Sequence, residues 1–181
     1  LVAAAALDRY VPMLMTAAGT IQPARALVLG AGVAGLQALA TARRLGAVVY
    51  VTDVRAAAKE QVESLGGRFV SPPEKEALPA ESGGYAQAAT EAFLAAQRQQ
   101  LAEQLALADM VICTAQVPGR RAPLLIDEAM LDVMRPGSVV VDLAVQYDTP
   151  YRLRIGGAAP YVAPRDVSRR GALYVTLGGY F

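Results

Sequence analysis

A doubly wound parallel sheet, with helices on both faces in three α/β/α layers, is the fold class this sequence predicts. Three observations lead to it. From residue 25 onward, short apolar runs of strand length alternate with helical stretches of 10 to 12 residues. Glycine falls where the first two of those helices should close, at Gly46 and at Gly66 and Gly67. A glycine-rich turn, GAGVAG at 30–35, joins the first strand to the first helix. Crossovers between parallel strands of one sheet should be right-handed.

Taken in order, residues 1–10 suit a helical segment stopped by Pro12, and 11–24 read as an irregular linker broken by Gly19 and Pro23. ALVL (26–29) is a buried strand, LQALATARRL (36–45) a helix, VVYVTD (48–53) a second strand and RAAAKEQVESL (55–65) a second helix. RFV (68–70) makes a short third strand. Residues 71–84 hold three prolines and two glycines and should form an excursion. A long helix runs from about Tyr85 to Ala108, its apolar stripe including Phe93, Ala96, Leu101 and Leu105. MVICTA (110–115) is a fourth strand, 117–123 a loop, and Asp127 caps a short helix reaching Met134. SVVVDLA (138–144) is a fifth strand. Beyond 145 the pattern is irregular: YRLRI suits a strand, and LYVTL suits either strand or helix.

Composition excludes several functions. The 181 residues are 54% hydrophobic and 18% charged, enough to bury a core without metals or disulfides. Seventeen basic residues face 16 acidic ones, so no field of one sign draws the chain to nucleic acid. There is no histidine, which removes histidine bases, triads and zinc sites, and no metal ligand set is expected. Cys113 is the one cysteine, placed within a strand and read as core rather than nucleophile. The longest apolar run, 26–36, has eleven residues, too few to span a bilayer, so no direct membrane insertion is expected. The apolar start lacks the basic segment of a signal peptide and has no initiator methionine, so a missing start or first domain is expected.

Gly30, Gly32 and Gly35 form G-x-G-x-x-G directly after a strand and at the opening of a helix, the setting of a Rossmann-type dinucleotide site. Gly30 permits the tight turn, Gly32 lets a pyrophosphate approach the backbone, and Gly35 lets helix and strand pack closely. Helix-start amides, those of Val33 and Ala34, would meet the phosphate charge. Asp53 lies 23 residues after Gly30 at the end of the second strand, where a carboxylate accepts from both ribose hydroxyls and repels a 2′-phosphate. NAD(H) is therefore expected over NADP(H). Val54 and Arg55 follow in the same site, and Arg55 pulls the other way, since an arginine there is a feature of phosphate-accepting sites. At the carboxyl edge, Thr114, Ala115 and Gln116 after the fourth strand and Asp142 after the fifth are candidates to touch the nicotinamide half. An incidental structural role for Asp142 is equally open. No residue is expected to be catalytic in itself.

The segments VPMLMTAAGTIQPARALVLGAGVAGLQALATARRLGAVV, TDVRAAAKEQVESLGG, GGYAQ (83–87), TAQVPGRRAP (114–123) and MRPGSVVVDLAV (134–145) closely resemble the NAD(H)-binding component of proton-translocating nicotinamide nucleotide transhydrogenase. Alanine dehydrogenase is similar in its PG-x-x-AP and PGSV patterns. The resemblance covers residues 11–145 and implies hydride transfer from NADH to NADP+, coupled in the full enzyme to proton movement. The component would lie peripheral to an inner membrane, on its cytoplasmic or matrix side. NADP(H) would be bound by a partner component beside the membrane component. The resemblance assigns Gly30, Gly32 and Gly35 to the pyrophosphate, Asp53 to the ribose, 71–84 to a mobile loop, and Tyr85 to closure over the nucleotide.

The sequence also departs from that family. The family's preceding domain, with its arginine–glutamine–aspartate loop, is expected to be missing, QYDTPY replaces the segment after DLAV, and IGGAAPYVAPR stands where the family has VGHTN. The organisation expected is a lead-in over 1–24, a nucleotide-binding domain over 25–145 and a diverged or shortened segment over 146–181. These departures argue against the family's homodimer here. Arg152, Arg154, Arg165, Arg169 and Arg170 read as solvated surface. The chain alone is expected to bind NADH weakly and to be inactive. The alternatives are the cofactor domain of an alanine-dehydrogenase-like enzyme and a stand-alone NAD-binding module.

Overall fold

A computed structural model describes residues 1–73, 95–116 and 124–143 in full, and the backbone alone over 91–94 and 173–176. Helix α1 (Val2–Ala6) leads into β1 (Leu14–Thr16) and β2 (Gly19–Ile21). Then follow β3 (Arg25–Leu29), α2 (Val33–Arg44), β4 (Val48–Thr52), α3 (Ala58–Ser64), β5 (Arg68–Val70), α4 (Glu91–Leu107), β6 (Met110–Cys113), α5 (Glu128–Asp132), β7 (Val139–Asp142) and β8 (Leu173–Thr176).

Six strands form one parallel sheet in the order β5-β4-β3-β6-β7-β8. The order reverses between β3 and β6, the switch point at which open α/β sheets take their ligands. Register aligns the strand ends: Val70, Thr52, Leu29, Cys113, Asp142 and Thr176 lie in one row across the sheet. The central strands are apolar in near-continuous runs because both their faces are covered. Ala26, Val28, Val49, Val51, Val139 and Val141 meet α1, α2 and α3 on one face, through Ala3, Leu39, Ala42 and Val62. Leu27, Leu29, Val111 and Val140 meet α4 and α5 on the other, through Leu105, Met130 and Met134. The Arg25 guanidinium bonds Gln104 Oε1 at 2.6 Å and lies 3.6 Å above the Tyr50 ring, fastening α4 to the sheet.

Asp127 caps α5 as its sequence position predicts, accepting from Met130 N at 2.9 Å. Three expectations are corrected, and one left open is resolved. The lead-in helix is confined to Val2–Ala6, and within 11–24 residues 14–21 form an antiparallel hairpin, with Leu14 opposite Ile21. Its three-residue strands bury neither face, so no alternation of apolar and polar residues marks them. The helix after the glycine turn opens at Val33, three residues early, so Gly35 lies within its first turn. Among the described residues of the α4 stripe, Leu105 and Ala108 are buried and Leu101 half-buried, while Ala96 is exposed. The sheet also continues past 145, because LYVT supplies β8, parallel to β7 with Leu173 opposite Val139. Tyr, Val and Thr suit a pleated surface. Residues 74–90, 117–123, 144–172 and 177–181, with the expected excursion beyond 73, the YRLRI strand and the five arginines, lie outside the described residues.

At the amino edge of the sheet, Asp109 is 6% exposed and ties the lead-in to the strand starts. Its Oδ1 accepts from Arg9 Nη1 at 2.7 Å, and its Oδ2 from Arg25 N at 2.7 Å. Its backbone carbonyl accepts from Val139 N at 3.0 Å, and Arg9 Nη2 reaches the Gln22 carbonyl at 2.9 Å. Removing the carboxylate strands a backbone donor at the head of the central strand. Asp109→Ala is expected to lower stability by about 2–3 kcal/mol, typical of a charge-assisted bond and an orphaned partner, read as a lowered urea midpoint at unchanged slope.

Candidate functional site

The turn after β3 is built backbone first. Gly30 takes φ +100°, in the left-handed region that favours glycine, and donates its N–H to the Thr52 carbonyl at 2.9 Å. Ala31 is buried, and its N–H donates to Asp53 Oδ2 at 2.7 Å. Gly32 caps α2 with ordinary extended dihedrals (φ −75°, ψ −172°) and no side-chain bond. The first bond closing the helix runs from Leu36 N to the Gly32 carbonyl at 2.9 Å. The amides of Val33, Ala34 and Gly35 therefore precede the helical ladder, and Val33 is 91% exposed.

The three glycines answer different constraints. A Cβ on Gly35 would overlap the Gly30 carbonyl oxygen and press on Thr114 Oγ1, so α2 can cross the turn only without one. A Cβ on Gly32 would meet nothing within 4 Å. Neither backbone angle nor internal packing requires glycine at 32. What the open position offers is close approach of an outside group to backbone amides at a helix start, where an anion is favoured.

Asp53 follows β4 and turns its carboxylate under this loop, with its side chain 7% exposed. Oδ1 accepts from Arg55 N at 2.8 Å and Arg55 Nε at 2.9 Å; Oδ2 accepts from Ala31 N and from Arg55 Nη2 at 3.0 Å. Burial pushes this carboxyl up, but the Arg55 side chain and the two backbone amides outweigh it and hold the acid below its ordinary value. Val54 and Arg55 are exposed beside it.

Across the switch point, Thr114 joins β6 to the same turn. Its N–H donates to the Leu29 carbonyl at 2.8 Å, and its hydroxyl lies 2.9 Å from the Gly30 carbonyl and 3.1 Å from that of Leu29. The Ala115 backbone is the other surface that a Gly30 Cβ would touch. Gln116 is exposed, and its Nε2 donates to the Leu143 carbonyl at 3.1 Å. Asp142 lies in register with Cys113, one strand farther out. Burial and then the Asp142 charge push the Cys113 thiol up to about 12, so it stays protonated at neutral pH.

The structure thus gathers Gly30, Gly32, Val33, Ala34, Gly35, Asp53, Val54, Arg55 and Thr114 around one turn. Gln116 and Asp142 sit beyond it along the same edge, and Tyr85 lies outside the described residues. Sequence reasoning did not find that Ala31 fixes Asp53, that Thr114 bonds to the loop, or that Arg55 grips the carboxylate. Only the last had a signal, an Asp-x-Arg spacing short enough for an ion pair. Among the described residues no three His, Cys, Asp or Glu side chains converge on a metal position, and no helix is long and apolar enough to cross a membrane.

The family model described as "Alanine dehydrogenase/PNT, C-terminal domain" matches residues 1–152. An NAD(P) transhydrogenase alpha subunit of Rhodospirillum rubrum is 56% identical over 160 residues, covering 88% of this chain and 40% of that protein. Alanine dehydrogenase of Bacillus subtilis is 30% identical over 118 residues, covering 65% of this chain and 26% of that one. The crystal structure of transhydrogenase from Sinorhizobium meliloti superposes with TM-score 0.70 at 44% identity, over 97% of this chain and 44% of its own. The chain therefore spans less than half the length of the relatives it matches.

Two outcomes follow from the geometry. Gly35→Ala is expected to cost at least about 2 kcal/mol, as overpacking against backbone does, whereas Gly32→Ala should stay within about 1 kcal/mol of the parent in the same denaturant titration. Separately, the Asp53 carboxyl should titrate below its ordinary value of 3.8 when followed by carboxyl-carbon NMR, and rise in Arg55→Ala. Because its folded value is depressed, Asp53 contributes its stability above 3.8 and loses it as pH falls through the lower folded value.

Proposed function

The chain belongs to the alanine dehydrogenase/PNT C-terminal domain family, and from that premise we propose that it is the NAD(H)-binding domain of a transhydrogenase. It holds NADH for direct hydride transfer to NADP+ carried by a partner component, next to a membrane component that couples transfer to proton movement. The observation that carries this reading is the pairing of an open Gly32 at an exposed helix start with a buried, ionised Asp53 fixed to the same turn.

Each part of the site has a role under this reading. Gly32, Val33 and Ala34 receive the pyrophosphate on backbone amides, with the α2 dipole behind them. Asp53 accepts the hydroxyls of the adenosine ribose, and the exposed Val33 and Val54 flank the adenosine half. Thr114, Ala115, Gln116 and Asp142 border the nicotinamide half, and Tyr85 closes over the nucleotide as the family resemblance implies. Bound NADH supplies the hydride, and the protein contributes position and electrostatics. No side-chain proton moves in that step, which accords with a chain lacking histidine.

One observation favours this reading over an amino-acid dehydrogenase: identity to the transhydrogenase relative is 56%, against 30% to alanine dehydrogenase. The domain works at the surface of the membrane assembly.

NADH titration, with NADPH and Asp53→Ala alongside, tests the site. Saturable NADH binding is expected, with NADPH at least tenfold weaker and Asp53→Ala reducing NADH affinity at least tenfold, as loss of charge-assisted bonds worth about 1.5–3 kcal/mol requires. A folded chain that no NADH concentration saturates would overturn the reading. With the NADP(H)-binding component supplied, NADH-dependent reduction of NADP+ should appear. Pyruvate- and ammonia-dependent NADH oxidation instead would favour the dehydrogenase.

A further inference from the structure

The grip of Arg55 on Asp53 bears on which nucleotide the site accepts. An ionised carboxylate offers about four acceptor positions, and all four are taken here. Two donors are backbone amides, Ala31 N and Arg55 N, which hold the carboxylate under the turn. The other two, Arg55 Nε and Nη2, belong to a side chain that is 44% exposed. A ribose diol reaching Asp53 would therefore take over the positions that the guanidinium now fills.

The guanidinium presents its two-pronged edge to two carboxylate oxygens at 2.9 and 3.0 Å. That edge binds phosphate oxygens with the same geometry. The anion seat of Arg55 thus lies where a ribose 2′-substituent would arrive, and the protein's own carboxylate occupies it. Resting on the nucleotide-site reading above, we propose that Arg55 is a 2′-phosphate anchor kept out of use by Asp53, so that the pair, not Asp53 alone, determines the choice of NAD(H) over NADP(H). Asp53 acts twice: it repels a 2′-phosphate and engages the cation that would otherwise receive one. With the carboxylate gone, the same guanidinium turns the site toward the phosphorylated nucleotide.

The test compares the parent chain, Arg55→Ala, Asp53→Ser and the double variant, each titrated with NADH and NADPH. Nucleotide fluorescence is a convenient readout in a chain without tryptophan, and circular dichroism checks folding. Asp53→Ser is expected to bind NADPH at least tenfold more tightly than the parent does, and the double variant should lose at least tenfold of that gain. Arg55→Ala alone should bind NADPH no more tightly than the parent. Should Asp53→Ser fail to fold, Asp53→Asn keeps an acceptor for Ala31 N and carries the same expectations. A gain that persists in the double variant, or no gain in either Asp53 variant while the parent binds NADH, would overturn the inference. A folded parent that binds neither nucleotide would instead overturn the nucleotide-site reading and this inference with it.

Discussion

The crossing of α2 over the turn that leaves β3 is the contact on which the rest of the site depends. It brings Gly35 against the Gly30 carbonyl at a separation that admits no side chain. Because the helix starts that close to the sheet, its first amides stand at the carboxyl edge, over the point where strand order reverses. The turn is then held from both neighbouring strands. Thr52 accepts from Gly30 on the β4 side, and Thr114 reaches the Leu29 and Gly30 carbonyls from the β6 side. Asp53 completes the frame through Ala31. A rigid arrangement of backbone donors results, and a ligand meets groups that need little reorganisation to receive it.

The same chemistry serves another purpose at the opposite edge. Asp109, like Asp53, has a buried carboxylate that accepts from a backbone amide and an arginine. What separates the two is where their donors belong. Those of Asp109 come from the lead-in and from the head of β3, so the carboxylate joins segments distant in the chain. Those of Asp53 come from Ala31 in the glycine turn and from Arg55 two residues away, so one of its bonds reaches a distant segment and the rest are local. Under the proposed function, position in the bond network, more than burial, separates Asp53 from Asp109.

Much of this was legible in the chain because the central strands are buried on both faces. ALVL, VVYVT, MVIC and SVVV are nearly continuous apolar runs, and the glycines and Asp127 punctuate the connections between them. The glycine turn, the strand-end position of Asp53 and the placement of Cys113 within a strand depend on the same local rules. The hairpin at 14–21 was not legible, since strands of three residues with neither face buried carry no periodicity. Nor was β8: four residues fit strand or helix equally well until a neighbouring strand supplies the ladder. The bonds of Ala31 and Thr114 lie beyond sequence reading for a different reason, since each pairs residues brought together only by the fold. That of Arg55 has a signal in the Asp-x-Arg spacing, but its formation depends on which way a flexible arginine turns.

The balance of groups along the carboxyl edge also bears on the kind of chemistry the site can support. Asp53 is ionised and engaged by arginine, and Cys113 is held as a neutral thiol by burial and by Asp142. Thr114 directs its hydroxyl to backbone carbonyls, and Gln116 bonds to the Leu143 carbonyl. None of these groups is poised to exchange a proton near neutral pH, as a general acid or base must be. Such an edge can orient and shield a reactive nucleotide without competing for its electrons. A hydride passed between two nucleotides asks for that and little more, because both its donor and its acceptor are brought to the protein. Under the proposed function, the contribution left to this chain is geometric, and the tight crossing at Gly35 is what keeps that geometry fixed.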